Sequence, residues 1–362
     1  MNQIYSQEKI TTLNDFISVI IPLFNNEHSI ARCIESVINQ THSEFELIII
    51  DDKSEDLSFS IANSYALNDE RIKIIKSTNN NGPSAARNLG IKKSIGEFIF
   101  FLDSDDYLEN DALKLLVNTN KGQNVDLIIA DFVKVNDKII PSDNSLYFSK
   151  TVNLNKTEIN KYVSLYLKKP NKYPLFSFVW GRIFKSSIIK NNNLLFNEEL
   201  RTFEDVDFNF RYLAWVNKVS FVKKNIMNHT INNIYLSASM RLPKDPGRFF
   251  GFKQALNSLG IYLDKMKINQ NIKHNISHAY VCYTIIQLIR LGFQSNRSNN
   301  KVILNLIRDC ISDKMLQNSL HHYAPLSEDS KIIPFLIKIR QPLLLFYACR
   351  IRGRKRYGIN NS

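Results

Sequence analysis

The chain has 362 residues, 44% hydrophobic and 22% charged, enough for a substantial core and for two or three domains, and unlike a disordered or collagen-like composition. Its formal net charge of +13 suits a nucleic acid, an anionic membrane surface or a phosphorylated small substrate, or is simply spread over solvated basic faces. Cys33, Cys282, Cys310 and Cys349 are scattered without a CxxC pair, which suggests neither a zinc knuckle nor a disulfide framework and fits a reducing cytoplasm. The opening MNQIYSQEKITTLNDF has no apolar leader core, and no apolar run nears the ~18 residues of a spanning helix. The expected location is therefore cytoplasmic.

In chain order, ISVIIPLF (17–24) reads as a buried strand and about 28–40 as an amphipathic helix with Ile30, Ile34, Val37 and Ile38 on one face. ELIIID (46–51) is a second strand, followed by a helical stretch over 57–67, and RIKIIK (71–76) is a third. Gly82-Pro83 then opens a helix to about Ser94, with Pro83 suited to the first helical position. EFIFFLD (97–103) and VDLIIA (125–130) complete five strands. Continuous apolar runs separated by helices predict a mostly parallel, doubly wound α/β sheet covered on both faces. From Asp131 to about Tyr173 the pattern loosens, an α+β region follows to about Lys224, and beyond Arg241 the chain reads as helical. After Asp329 there is no acidic residue; PLLLFYAC (342–349) runs into Arg350, Arg352, Arg354, Lys355 and Arg356. That tail is too short to span a bilayer. It suits an anionic leaflet or, alternatively, a helix packed on the rest of the protein with a frayed basic end.

Open parallel sheets bind ligands at the carboxyl ends of their strands, and four polar clusters fall there. The first strand runs into Pro22, Phe24, Asn25 and Glu27; the second ends in Asp51-Asp52; the third is followed by NNNGPSAARN; the fourth ends in Asp103-Ser104-Asp105-Asp106. Two carboxylate clusters would repel one another across a crevice unless a cation or hydrogen-bond donors lay between them. Asp103, Asp105 and Asp106 offer hard oxygen ligands, and Mg²⁺ or Mn²⁺ takes one or two carboxylates with phosphate oxygens and water. On residues alone, the same aspartates could merely cap the next helix.

ISVIIPLFNNE, IIIDDKSED, NGPSAARNLGI and GEFIFFLDSDD, in that order and spacing, resemble the successive motifs of the family 2 glycosyltransferases with the GT-A fold. The resemblance covers roughly 17–222. It implies inverting transfer from a UDP-sugar to a glycan or lipid-linked acceptor, by a hexosyl- or N-acetylhexosaminyl-transferase of lipopolysaccharide, capsule or exopolysaccharide assembly. It implies a GT-A domain of two halves, 17–130 for the donor and 131–240 for the acceptor, after a lead-in at 1–16 and before a helical region with a basic tail at 241–362.

By that resemblance, Pro22, Phe24 and Glu27 border the nucleoside, with Phe24 where a tyrosine is common. Asp52 reads the uracil, Gly82 lets the backbone approach the ligand, and Arg87 lies near base and diphosphate. Asp103 and Asp105 hold a divalent metal, with Asp105 the more direct ligand; Ser104 joins the donor group and Asp106 is a third acid. FNEELRTFEDVDFNF (196–210) resembles the family's acidic segment, which makes Asp205 the general base with Glu204 beside it and Asp207 the alternative. Read locally, these are equally charges that favour a helix N-terminus.

In FVWGRIF (178–184), Gly181-Arg182 replaces a more familiar Asn-Lys. Trp180 either stacks on the acceptor or belongs to the core. His229 stands where relatives carry a Tyr-Arg pair, Ser237 and Ser239 fall in a loop that in relatives can close over the donor, and His321 and His322 lack metal-ligand spacing. Two competing readings are a catalytically inactive relative, opposed by the full set of carboxylates, and a nucleic-acid-binding protein. The second lacks a recognition module and sets acidic strand ends against phosphate, so no nucleic-acid partner is expected.

Overall fold

A computed structural model describes residues 15–135, 148–168, 174–200, 202–230, 251–265, 271–325 and 330–357. Ser237 and Ser239, and nearly all of the 1–16 lead-in, lie outside them. The chain opens with β1 (Ile17–Leu23), α1 (Ile30–Ile38), β2 (Phe45–Asp51), α2 (Ser58–Ala66), β3 (Ile72–Lys76), α3 (Pro83–Lys93) and β4 (Phe98–Phe101). β2 and β4 are buried throughout, and β1 at all but Pro22, as expected of apolar strands covered on both faces. β1 pairs in parallel with β2 and β4, and β2 with β3, so the four carboxyl ends lie along one edge. α3 lies so close on β1 that a Cβ at Gly90 would fall 2.4 Å from the Ile20 side chain.

Next come β5 (Tyr107–Leu108), α4 (Ala112–Asn120), β6 (Leu127–Val135), β7 (Val152–Asn155) and α5 (Lys156–Lys168). β8 (Arg182–Lys185), α6 (Ser186–Asn191), α7 (Glu204–Leu213) and β9 (Lys218–Thr230) follow. The remainder is helical: α8 (Gly251–Lys265), α9 (Asn271–Gln294), α10 (Asn300–Ser312), α11 (Lys314–Ser319), α12 (Ile332–Lys338) and α13 (Pro342–Tyr357).

The chain divides into two compact units. One holds the described residues up to Phe132 together with Trp180–Asn193 and Lys224–Asn228; the other holds Val133–Val179, Leu194–Lys223 and the chain from His229 onward. The linear division at 130 and 240 does not draw this boundary, because strands late in the sequence return to the first sheet. In that unit the order is β3-β2-β1-β4-β8-β6-β9-β5. β8 is antiparallel to both β4 and β6, and β5 is antiparallel to β9. The strand predicted from VDLIIA therefore forms, but β8 separates it from β4, and β3-β2-β1-β4 make up a continuous parallel stretch.

In the second unit, the first part of β9 pairs with β7, Val152 opposite Phe221. α9 is its central helix, with Ala279, Tyr280, Val281, Leu288 and Ile289 all buried, as expected of a helix packed on several sides. α5, α8 and α13 pack against it. α13 approaches closely enough that a Cβ at Gly292 would lie 2.5 Å from the Arg350 backbone. Of the two alternatives for the tail, packing thus describes the inward face of α13, which buries Leu345, Phe346 and Cys349. No helix among the described residues is long and apolar enough to cross a membrane.

Candidate active site

The loops at the carboxyl ends of β1 and β2 are laced together through side-chain bonds to backbone. Asn25 adopts φ 46°, a left-handed conformation that asparagine tolerates better than most residues. Its N–H donates to Ser54 Oγ at 3.1 Å, and its Oδ1 accepts from the Glu55 N–H at 2.8 Å. The Glu27 carboxylate accepts from the Leu57 N–H at 2.9 Å. Phe24 is 46% exposed and Pro22 half-buried, so Phe24 presents an open ring at this edge while Glu27 braces the loop.

Asp51 is fully buried and accepts from the Ser54 N–H at 3.3 Å, which holds the turn. Asp52, 4% exposed, accepts from the Asn81 N–H at 3.0 Å and the Gly82 N–H at 2.7 Å. Gly82 has φ 89° and ψ 171°, backbone that favours glycine, and Pro83 follows at the start of α3. The free N–H groups of that first turn are suited to an anion. From the next turn the buried Arg87 donates from Nη2 to Asp103 Oδ1 at 2.8 Å, tying α3 to the end of β4.

The aspartate turn itself closes with the Asp106 N–H donating to the Asp103 carbonyl at 3.0 Å. Asp106 is fully buried, while Asp103, Ser104 and Asp105 are half-buried. Two residues that the sequence reading passed over also hold this turn. Asn26 Nδ2 donates to Ser104 Oγ at 2.9 Å. Arg32 Nη2 donates to the Asp105 carbonyl at 3.1 Å, its guanidinium 4.4 Å from the centroid of the Tyr107 ring. For Asn26 the signal was its place just past the end of β1; Arg32 lies in the first turn of α1 and carried none. Burial pushes the Cys33 thiol well up, and the charges of Asp106, Asp105 and Asp103 push it further, so the cluster's negative field reaches into the core.

Among the described residues, no group of three or more His, Cys, Asp or Glu is arranged to hold a metal ion alone. Two half-buried carboxylates on a tight turn nevertheless meet what Mg²⁺ or Mn²⁺ takes from a protein when substrate phosphates supply the rest. Asp103 bonds Arg87, and both Asp103 and Asp105 are half-buried on the turn.

In the second unit, Phe203 stands before α7 at φ 65° and ψ 15°, an uncommon conformation for an aromatic residue. It is held edge-on by Phe252 and Tyr283. Glu204 and Asp205 occupy the first turn of α7, half-buried, and Asp205 Oδ2 accepts from the Val179 N–H at 3.2 Å. Asn209 Nδ2 donates to the carbonyls of Phe176 and Phe178, both at 2.9 Å, and so fixes the segment that Asp205 contacts. Asp207 is buried; its Oδ2 accepts from Arg211 Nε at 2.9 Å and its Oδ1 from Ser258 Oγ. Both oxygens are thus engaged in anchoring α7.

Of the two alternatives for Trp180, acceptor stacking and core, the second describes it. Trp180 is 5% exposed, its ring edge-on to Phe132 with centroids 4.4 Å apart, so it is a core residue with no open face for an acceptor. Gly181 at φ 69° and the fully buried Arg182, donating from Nε to the Trp180 carbonyl at 3.2 Å, shape the same turn. His229 is half-buried near the end of β9, and His322 stacks on His274.

The family model for Glycosyl transferase family 2 matches residues 18–185. Over 294 residues the chain is 31% identical to poly(ribitol-phosphate) beta-N-acetylglucosaminyltransferase TarP of Staphylococcus aureus, covering 79% of this chain and 83% of that protein. It is 25% identical over 341 residues to the uncharacterized glycosyltransferase EpsJ of Bacillus subtilis, covering 93% of this chain and 96% of that one. A solved structure of S. aureus TarS 1–349 in complex with UDP-GlcNAc shares the fold, with a TM-score of 0.69 at 18% identity over 94% of this chain and 92% of that chain. The mixed, largely parallel sheet with its helical C-terminal region is the GT-A arrangement, and the chain belongs to glycosyl transferase family 2.

Proposed function

We propose that this chain is an inverting, metal-dependent glycosyltransferase that moves a hexose or N-acetylhexosamine from a UDP-sugar to a hydroxyl of a glycan or lipid-linked acceptor. The single observation that carries this reading is the Arg87–Asp103 pair. It joins the anion-suited start of α3 to the aspartate turn, so a cation, free backbone N–H groups and carboxylates meet where the parallel strands end. A uracil fits beside Phe24 and Asp52, and a diphosphate fits along α3 towards Arg87. A divalent ion on Asp105 and Asp103 would neutralise charge on the departing diphosphate.

Asp205 is assigned the general base. The acceptor hydroxyl gives its proton to that carboxylate as its oxygen attacks the anomeric carbon. The bond from that carbon to the UDP oxygen breaks on the opposite face, so the configuration inverts. Relatives named for poly(ribitol-phosphate) and N-acetylglucosamine support assembly of a surface polysaccharide or cell-wall polymer, with the chemistry on the cytoplasmic side.

A panel of UDP-glucose, UDP-galactose, UDP-GlcNAc and UDP-GalNAc, assayed for UDP release with Mn²⁺, Mg²⁺ or a chelator, tests this. Ion-dependent release from at least one donor, lost in Asp105→Ala, is expected. Release from none of them, or release that is indifferent to chelator and to Asp105→Ala, would overturn the proposal.

A further inference from the structure

The outward face of the last two helices is unlike the rest of the described surface. α12 buries Ile333, Leu336 and Ile337 but exposes Ile332 and Phe335, with Ile339 exposed just beyond its end. α13 exposes Leu343, Leu344, Tyr347 and Ile351. The spacings 332/335/339 and 343/347/351 each make one helical stripe, and α12 packs against α13. Of fourteen exposed large hydrophobic side chains among the described residues, these seven lie between positions 332 and 351. They are therefore clustered rather than singly scattered, which marks an interaction surface. The same stretch, 330–357, carries eight Lys and Arg residues and no Asp or Glu, with Lys338, Arg354 and Lys355 exposed.

We propose that this face docks the protein on an anionic lipid surface, with the helices lying in the plane of the headgroups. The apolar stripes would enter the boundary with the acyl chains while the cations meet lipid phosphates. A second copy of the chain fits less well, because a two-fold interface would bring one cationic face against another. A polyphosphate such as nucleic acid would satisfy the cations but leave seven apolar side chains in water. The proposal does not depend on the transfer reading, and its test contains no sugar.

The test is flotation of the full-length protein with vesicles of phosphatidylcholine alone or mixed with phosphatidylglycerol. Wild type is expected to float with the mixed vesicles and not with phosphatidylcholine alone. Neutralising three exposed cations in Lys338→Gln/Arg354→Gln/Lys355→Gln should weaken binding on the order of a hundredfold. Phe335→Ser/Leu343→Ser/Tyr347→Ser should also weaken it and make the remainder fully salt-sensitive. Thermal melts accompany both; if the apolar variant unfolds early, the charge variant carries the test. Three results would overturn the proposal: no preference for anionic vesicles, binding unchanged in the charge variant, or a dimer in sedimentation equilibrium that the apolar substitutions dissociate without any vesicle binding.

Discussion

Two acidic clusters, Asp103–Asp106 at the end of β4 and Glu204–Asp207 in the first turn of α7, share a layout but are held by different means. In each, the last aspartate is buried and the earlier carboxylates are half-buried. The β4 cluster is a turn among loops, held by Arg87, Asn26 and Arg32 reaching from α3 and α1 and its preceding loop. The α7 cluster is fixed by backbone and packing: a left-handed Phe203 wedged between Phe252 and Tyr283, and Asp207 bound to Arg211 and Ser258. In the proposed reading, the turn that would share a cation with an anionic ligand is surrounded by donors and positive charge. In the same proposed reading, the carboxylate that would accept a proton sits at a helix end, with the Val179 N–H as its neighbour. Asp207 anchors α7 through both of its oxygens, whereas the proposed chemistry falls on the half-buried Asp105 and Asp205.

Substitutions that separate position from chemistry test this comparison. Asp205→Asn should lower kcat on the order of 10²–10⁴-fold, with UDP affinity and melting temperature close to wild type; an equal loss of affinity would place Asp205 with the donor groups instead. Asp207→Ala should do the reverse, costing about 3 kcal/mol in urea unfolding because the half-buried Arg211 and the Ser258 hydroxyl lose their buried carboxylate partner. If it removed activity with no loss of stability, Asp207 would be a chemical group after all. Arg87→Ala should cost about 2 kcal/mol, less than Asp207→Ala because Asp103 is about a third exposed (31%) and solvent screens it.

The first four strands were legible because their apolar runs are local and their ends carry turn chemistry, Gly82-Pro83 above all. The placement of β8 between β4 and β6 was not, since Arg182–Lys185 pairs with strands that precede it by more than fifty residues. β5 has only two residues, and its partner, Met227–Asn228, lies far along the chain. The aspartate turn and Asp205 came from motif order. Asn26 and Arg32 were missed because their roles rest on contacts with Ser104 and Asp105 more than seventy positions away. Trp180 was ambiguous for a different reason: an aromatic side chain looks the same in sequence whether it faces a ligand or Phe132.

The central claim, a UDP-sugar site built on the aspartate turn, is tested most directly by calorimetric titration of UDP into the protein with and without Mn²⁺. Ion-dependent binding that is at least about tenfold weaker in Asp105→Ala and unchanged in Asp205→Asn is the predicted result, tenfold corresponding to about 1.4 kcal/mol. UDP binding that ignores both the ion and Asp105, or no binding at all, would contradict it.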